Sequence, residues 1–252
     1  MAASGKHAFV TGGGSGIGLA SARALAVAGW RVTIAGRKKQ KLEAAAKTQN
    51  VRAQQLDVTD VDAVRAAIRT SQEANGPIAL LVNNAGGVTS ASFEKTTVEA
   101  WHQSLDLNLM GAVHCTQAVL PQMKANGWGR IVNIARTAGL VGYRYVSAYV
   151  AAKHGLVGLT KALALEVAKS GVTVNAICPG YTNTEVIATA VDTISSTTSR
   201  TAAEALATFT ATNPMGRLIE PDEVAAAVVW LASDEAAAVN GIALPVAGGE
   251  VT

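Results

Sequence analysis

The sequence has few of the residues that mark special classes of protein. In 252 residues there are two cysteines, 4% aromatic residues and 15% charged residues, and 21 Lys and Arg stand against 18 Asp and Glu. Two isolated cysteines do not build a disulfide scaffold, so we expect Cys115 and Cys178 to be buried as small apolar side chains. A net charge of +3 spread along the chain provides no basic surface for nucleic acid or anionic lipid. We therefore expect neither nucleic acid nor a membrane as a partner.

Long hydrophobic runs are also missing. The longest strongly apolar run covers residues 224–232, whereas a membrane span requires roughly 20 such residues. No apolar leader precedes the first strand-like segment, so we expect the protein to be cytoplasmic. We predict no metal site, because the four histidines do not have the spacing of metal ligands. They are His7, His102, His114 and His154.

Short β-branched segments alternate with longer alanine-rich segments along the whole chain. Such alternation predicts parallel strands joined by crossover helices, in one doubly wound α/β domain over residues 1–252 with a seven-stranded parallel sheet. The predicted strands cover residues 7–11, 31–35, 51–56, 78–82, 130–135, 172–177 and 241–246, and the predicted helices cover residues 17–28, 38–47, 61–74, 98–125, 146–170 and 222–232.

A Thr-, Ser- and Ala-rich stretch interrupts this pattern at about residues 185–213. We predict a short helix within it, around residues 201–210. Connections of this length are usually functional or mobile, and the loops at the carboxyl ends of parallel strands carry the ligands. We interpret the stretch as a lid over a substrate cleft. The alternative is a surface segment that is only a passive excursion of the chain and does not cover the cleft.

A glycine-rich turn joins the first predicted strand to the first helix. Its glycines allow the backbone to approach a diphosphate closely, and the helix N-terminus then faces the anion. The spacing Thr-Gly-x-x-x-Gly-x-Gly resembles the dinucleotide turn of the short-chain dehydrogenase/reductase family. We therefore predict that the turn binds a cofactor through Gly12, Gly14, Ser15, Gly16, Ile17 and Gly18.

Further landmarks of that family follow in its order and cover nearly the whole chain. The resemblance implies a Rossmann-type domain and hydride transfer between a nicotinamide nucleotide and a ketone/secondary alcohol pair. It also implies a homotetramer, assembled through the helices at 98–125 and 146–170 and the C-terminal strand. The additional cofactor-binding residues that it implies are Asp57, Val58, Asn84, Ala85, Gly86, Tyr149, Lys153, Pro179, Gly180, Thr182 and Thr184.

The end of the second strand indicates which nucleotide is bound. NAD-preferring relatives carry an acidic residue where this chain has Gly36, and the adjacent Arg37 can pair with a 2′-phosphate through its planar guanidinium. We predict NADP, with NAD less favoured. The alternative is that Arg37 and the lysines at 38, 39 and 41 are simply the solvated start of a helix.

Tyr149 and Lys153 form the Tyr-x-x-x-Lys motif, and their spacing places both on one face of a helix. An ordinary tyrosine has a pKa near 10, and a neighbouring cation favours its phenolate. We predict Tyr149 as the general acid/base and Lys153 as the group that lowers its pKa. By resemblance, Asn108 holds a water molecule that links Lys153 to solvent.

One position departs from the family pattern. Where the family keeps a catalytic serine that polarises the substrate carbonyl, this chain has Arg136. Three interpretations remain open. Arg136 donates to the carbonyl or binds a substrate carboxylate; Thr137 supplies the hydroxyl; or the arginine fills the pocket and leaves a nucleotide-binding protein with little or no turnover.

We also predict the residues around the substrate from their place in the landmark loops. A mostly apolar lining fits a cyclic, aromatic or acyl ketone better than a sugar. The predicted substrate-binding residues are Val88, Val141, Tyr143, Tyr145 and Tyr181.

Overall fold

The computed structural model describes residues 5–251, so that residues 1–4 and 252 of the predicted domain lie outside the described part. One sheet of seven parallel strands runs through the molecule in the order β3-β2-β1-β4-β5-β6-β7. This confirms the predicted fold. The strands are β1 (His7–Thr11), β2 (Arg31–Gly36), β3 (Val51–Gln55), β4 (Ile78–Asn83), β5 (Gly129–Ile134), β6 (Val172–Pro179) and β7 (Ala243–Val246).

Helices cover both faces of the sheet, because neighbouring residues of each strand point to opposite sides. Val10 packs into one core with Leu25 and Val228, whereas Phe9 packs into the other with Val119. The strand order reverses between β1 and β4, where a crevice opens at the carboxyl ends of the strands. The helices are α1 (Gly16–Val27), α2 (Lys39–Ala45), α3 (Val61–Asn75), α4 (Val98–Leu105), α5 (Gly111–Ala125), α6 (Ser147–Val167), α7 (Glu185–Thr197), α8 (Ala202–Thr210) and α9 (Pro221–Leu231).

The helix predicted over residues 98–125 is not continuous. A π-helical turn, Asp106–Met110, separates α4 from α5. The amide of Asn108 lies in this turn and donates to the carbonyl oxygens of Ser104, at 3.0 Å, and Gly87, at 2.9 Å. The extra residue of a π turn changes the direction in which the Asn108 side chain points. Such turns are frequent at functional sites.

The 185–213 stretch contains more helix than its composition predicts. The structure confirms a helix near 201–210, which is α8, but α7 precedes it over residues for which no helix was predicted. Threonine hydroxyls along α7 donate to carbonyl oxygens one turn earlier, as from Thr189 to Glu185 and from Thr193 to Thr189, both at 2.8 Å. These bonds satisfy the threonine hydroxyls within the helix, although threonine has a low helix propensity.

Cys115 and Cys178 are both unbridged and buried, as predicted. Among residues 5–251, no group of three or more His, Cys, Asp or Glu side chains has a metal-binding arrangement. No helix in the same range is both long and apolar enough to cross a bilayer.

Candidate functional site

The glycine turn is tied to the end of β4. Thr11 Oγ1 accepts hydrogen bonds from the backbone N–H groups of Asn84 and Ala85, both at 3.0 Å. Asn84 Nδ2 in turn donates to the carbonyl oxygens of Thr11, at 3.0 Å, and Gly12, at 3.2 Å. A Cβ at Gly18 would lie 2.3 Å from the Gly12 carbonyl oxygen, so the first turn of α1 packs directly against the loop. The turn is therefore a closely packed bend, and between Gly12 and Gly16 the only residue with a side chain is Ser15.

A cavity of about 320 Å³ lies beside this bend. We call it the glycine-turn cavity. Lys38, Lys41 and Glu185 also line it, and none of these three was predicted to bind the cofactor. The predicted cofactor-binding residues that line it are Gly12, Gly14, Ser15, Arg37, Asp57, Val58, Ala85 and Gly86.

Three cationic side chains, Arg37, Lys38 and Lys41, surround this cavity. Lys41 forms an ion pair with Glu185 at the start of α7, which joins α2 to the 185–213 stretch. The pKa of Asp57 is lowered, first by the hydrogen bond from the Thr59 backbone N–H and further by the Arg37 charge. The alternative of a solvated helix start did not anticipate this ion pair of Lys41, because the sequence alone does not show that α7 lies opposite α2.

A second cavity, of about 310 Å³, adjoins the first and shares Gly86 and Val186 with it. We call it the Tyr149 cavity. The shared residues place its reactive groups next to any ligand held at the glycine turn. The other residues that line it are Ile17, Asn84, Gly87, Val88, Ile134, Arg136, Tyr149, Lys153 and Thr184.

Lys153 and Tyr149 come together in this cavity, as the Tyr-x-x-x-Lys spacing predicts. Lys153 Nζ donates to the Ile134 carbonyl oxygen at 2.9 Å and lies 5.7 Å from the centre of the Tyr149 ring. Burial, followed by the Arg136 charge, lowers the pKa of Lys153 to about 7. A Cβ at Gly86 would lie 3.5 Å from Nζ, so the glycine leaves the ammonium open to the cavity.

Arg136 contributes to the electrostatics of Tyr149. Burial of the phenol raises its pKa, and the positive charge of the Arg136 guanidinium opposes this rise. Lys153 Nζ donates to the Ile134 carbonyl oxygen, and the lowering of the Tyr149 pKa by Lys153 stays a prediction. The Arg136 guanidinium is a second cation that favours the phenolate.

Arg136 lies two residues after the end of β5 in a left-handed backbone conformation, with φ of 67°. Its side chain reaches the Tyr149 cavity, whereas Thr137 is 4% exposed and its hydroxyl lies 2.7 Å from the Tyr143 hydroxyl. The Tyr143 hydroxyl in turn donates to Glu250 at 2.6 Å. The structure thus presents the arginine, and not the threonine, to the Tyr149 cavity.

The predicted substrate-binding residues separate into two groups. Val88 lines the Tyr149 cavity, and the other four are not part of its lining. Tyr143 and Tyr181 pack edge to face at 6.0 Å between ring centres, and Tyr181 packs in the same way on Phe209 of α8. Tyr145 and Val141 are exposed on the connecting loop. For all five residues, contact with substrate stays a prediction.

The remaining predicted cofactor residues lie around the end of β6. Thr184 packs against the glycine turn, since a Cβ at Gly16 would lie 3.1 Å from its methyl group. Thr182 is fully buried and its hydroxyl donates to the Gly180 carbonyl oxygen at 2.9 Å. Pro179 ends β6 and is buried with Gly180. These residues shape the loop, and Thr184 alone among them lines the Tyr149 cavity.

Comparisons with known proteins agree with this geometry. The family model described as short chain dehydrogenase matches residues 6–195. A D-beta-hydroxybutyrate dehydrogenase from Cupriavidus necator is 39% identical over 98% of this chain and 98% of its own length. A putative ketoacyl reductase from Streptomyces coelicolor is 40% identical over 96% of this chain and 95% of its own. An acetoacetyl-CoA reductase from Paracoccus denitrificans is 40% identical over 94% of each chain.

Among solved structures, a variant of actinorhodin polyketide ketoreductase with NADPH superimposes with a TM-score of 0.93. It is 39% identical and covers 97% of both chains. The sheet order, the glycine turn and the Tyr149–Lys153 pair lead to the same assignment as these relatives. The chain belongs to the short-chain dehydrogenase/reductase family of oxidoreductases.

Proposed function

We propose that the protein is an NADP-dependent oxidoreductase that interconverts a ketone and a secondary alcohol. The observation that carries this proposal is the adjacency of the two cavities: the Tyr149 cavity holds the proton-transfer groups and shares Gly86 with the glycine-turn cavity. Relatives named as ketoacyl and acetoacetyl-CoA reductases support the reaction class.

The residues present fit a dinucleotide. The bend at Gly12 offers backbone N–H groups and the start of α1 to a diphosphate. At the far side of the cavity, Gly36 removes a carboxylate that would repel a 2′-phosphate, while Arg37 and Lys41 offer positive charge. The similar ketoreductase solved with NADPH supports this choice. The bound nucleotide supplies or accepts the hydride.

Tyr149 holds the proton in the reductive direction. Because burial raises the pKa of its phenol, the hydroxyl is protonated near neutral pH. As the carbonyl carbon gains hydride, the carbonyl oxygen gains negative charge and takes this proton, leaving a phenolate that solvent reprotonates. Arg136 stabilises the phenolate and the developing alkoxide, since its guanidinium adjoins the phenol. The water-holding role of Asn108 stays a prediction.

The test is NADPH consumption, followed at 340 nm, with a panel of 3-oxo esters and 3-oxo acids. We expect turnover by the wild type and a loss of about 100- to 10,000-fold in kcat for Tyr149→Phe. NADPH binding, measured by tryptophan fluorescence, should be unchanged in that variant. Unchanged kcat in Tyr149→Phe would refute the acid/base role.

A second candidate is a nucleotide-binding protein without efficient turnover, in which Arg136 blocks the substrate position. The enzymatic relatives do not favour it. Tight NADPH binding with no consumption on any substrate, together with turnover restored by Arg136→Ser, would establish this candidate instead.

We further propose a homotetramer formed through α4, α5, α6 and β7. Apolar side chains on these helices are exposed in the single chain, with Leu165 at 82% and Val98 at 66%. Light scattering of the purified protein should give four times the chain mass, and a monomer at micromolar concentration would refute the assembly. The cytoplasmic location stays a prediction.

A further inference from the structure

We propose that Arg136 binds a carboxylate of the substrate, so that the substrates are short 2- or 3-oxo acids and the corresponding hydroxy acids. This inference rests on the proposed function and names its substrate class. It concerns a residue of this chain at which the family pattern has a serine.

The backbone directs Arg136 into the site. Its φ of 67° is a conformation that residues other than glycine seldom adopt, and the tight turn Thr137–Gly139 follows at once. Thr137 and Ala138 of this turn are buried, so the turn is held by packing. The guanidinium therefore reaches the Tyr149 cavity from a fixed backbone position rather than from a loop open to solvent.

The cavity carries positive charge that the protein does not balance. Arg136 and Lys153 both line it, and no Asp or Glu is among its lining residues. Across residues 5–251, no carboxylate lies within ion-pairing distance of the Arg136 guanidinium. Glu250, on the neighbouring loop, accepts hydrogen bonds from Tyr143 and Thr212 at Oε1 and does not line the cavity. A partly buried guanidinium with five donors is best stabilised by an anion that enters the cavity.

The nucleotide does not supply this anion. Its phosphates belong at the glycine turn and near Arg37, in the adjoining cavity. The nicotinamide ring that would reach Tyr149 is cationic when oxidised and neutral when reduced. The remaining source of negative charge is the second substrate.

The neighbouring phenol limits the length of that substrate. Arg136 and Tyr149 line the same cavity of about 310 Å³, and the Tyr149 hydroxyl must contact the carbonyl oxygen. A carboxylate held by the guanidinium is therefore only one or two carbon atoms away from the carbonyl carbon. The guanidinium fork pairs with both carboxylate oxygens, which also fixes the face of the carbonyl that the nucleotide meets.

The kinetic test compares 3-oxobutyrate with its methyl ester, which differ in charge but share the carbonyl. We expect Arg136→Ser to lower kcat/KM for the acid by about 100-fold, while kcat/KM for the ester is kept or rises because serine restores a hydroxyl. Arg144→Ser removes an exposed arginine from the same loop and serves as the matched control. An acid-to-ester ratio that is the same in the wild type and Arg136→Ser would overturn the proposal.

A binding test separates this inference from the proposed function. Butyrate carries the carboxylate but no carbonyl, so calorimetry of the NADP⁺-loaded protein with butyrate requires no turnover. We expect binding to the wild type and to Arg144→Ser, and a Kd at least about 10-fold higher in Arg136→Ser. If no substrate is consumed yet butyrate binds in this manner, the proposed function fails and the inference stands. Equal butyrate affinity in all three proteins, or none in the wild type, would overturn it.

Discussion

The side-chain amide of Asn108 exchanges two hydrogen bonds with the backbone of Gly87: Oδ1 accepts from the Gly87 N–H at 3.1 Å, and Nδ2 donates to its carbonyl oxygen at 2.9 Å. This exchange joins the π turn to the loop after β4. A Cβ at Gly86 would also lie 2.8 Å from Oδ1, so the two segments are in close contact. Asn108 therefore positions Gly86 and Gly87, which line the Tyr149 cavity.

Asn108→Asp tests this contact. The carboxylate keeps the acceptor but loses both donated bonds and faces two carbonyl oxygens, so we expect the free energy of unfolding to fall by about 2 to 4 kcal/mol. Urea unfolding measures it. Asn126→Asp, at an exposed position after α5, is the control and should stay within about 0.5 kcal/mol. Equal stability of the two variants would contradict the role of Asn108.

Arg136 also sets the pH dependence of alcohol oxidation. Oxidation requires the Tyr149 phenolate, so its rate rises with pH through the Tyr149 pKa. Burial raises this pKa and the Arg136 charge opposes the rise. Arg136→Gln removes the opposing charge and should move the midpoint of the kcat profile to higher pH, whereas Arg144→Gln should leave it in place. A midpoint that moves down or stays fixed in Arg136→Gln would show that the guanidinium does not act on the phenol.

Arg37 is the residue on which the choice of nucleotide depends most. Arg37→Ala should raise the Kd for NADPH by about 10- to 100-fold, because a charge-assisted pair with the 2′-phosphate is lost. The Kd for NADH should change much less. Lys39→Ala is the matched control, since Lys39 pairs with Glu43 on the surface of α2 and does not line the glycine-turn cavity. An equal increase in Kd for NADPH and NADH would mean that Arg37 does not bind the 2′-phosphate.

His7 makes the stability of the protein depend on pH. Its Nδ1 lies 2.8 Å from the Gly76 carbonyl oxygen and its Nε2 lies 2.9 Å from Thr33 Oγ1, and burial lowers its pKa to about 4 from an ordinary value of 6.5. The neutral ring thus stabilises the fold fully above pH 6.5. As pH falls from 6.5 towards 4, the unfolded chain takes up a proton that the folded ring does not. This costs about 1.4 kcal/mol for each pH unit.

Chemical unfolding at pH 7 and pH 4.5 measures this loss. The difference between the two pH values should shrink in His7→Gln and persist in His102→Gln, which alters an exposed histidine on α4. The same pH difference in His7→Gln as in the wild type would assign the loss to other groups.

The strands and the order of the motifs could be predicted because they depend on local patterns. All seven strands lie within a few residues of their β-branched segments, and the Tyr149–Lys153 pair follows from the helical repeat. The π turn was not predicted from the helical repeat, and the hydrogen bond from Asn108 within it to Gly87 spans 21 positions. The pairing of Lys41 with Glu185 spans 144 positions and depends on α7, whose threonine-rich sequence does not favour a helix.

The direction of the Arg136 side chain also could not be predicted from the sequence. A strand residue and its successor normally point to opposite faces, but the positive φ of Arg136 and the turn after it decide which of the two enters the cavity. The pKa values of Tyr149 and Lys153 depend on that choice and on burial, neither of which the motif contains.

The bond from Tyr143 to Glu250 links the loop after Arg136 to a residue 107 positions downstream. Removal of Glu250 would deprive the Tyr143 hydroxyl of its acceptor. The Thr137 hydroxyl, which is hydrogen-bonded to Tyr143, would then lose a partner that is held in place. We therefore expect variants that lack Glu250 to differ in catalysis from the 252-residue chain.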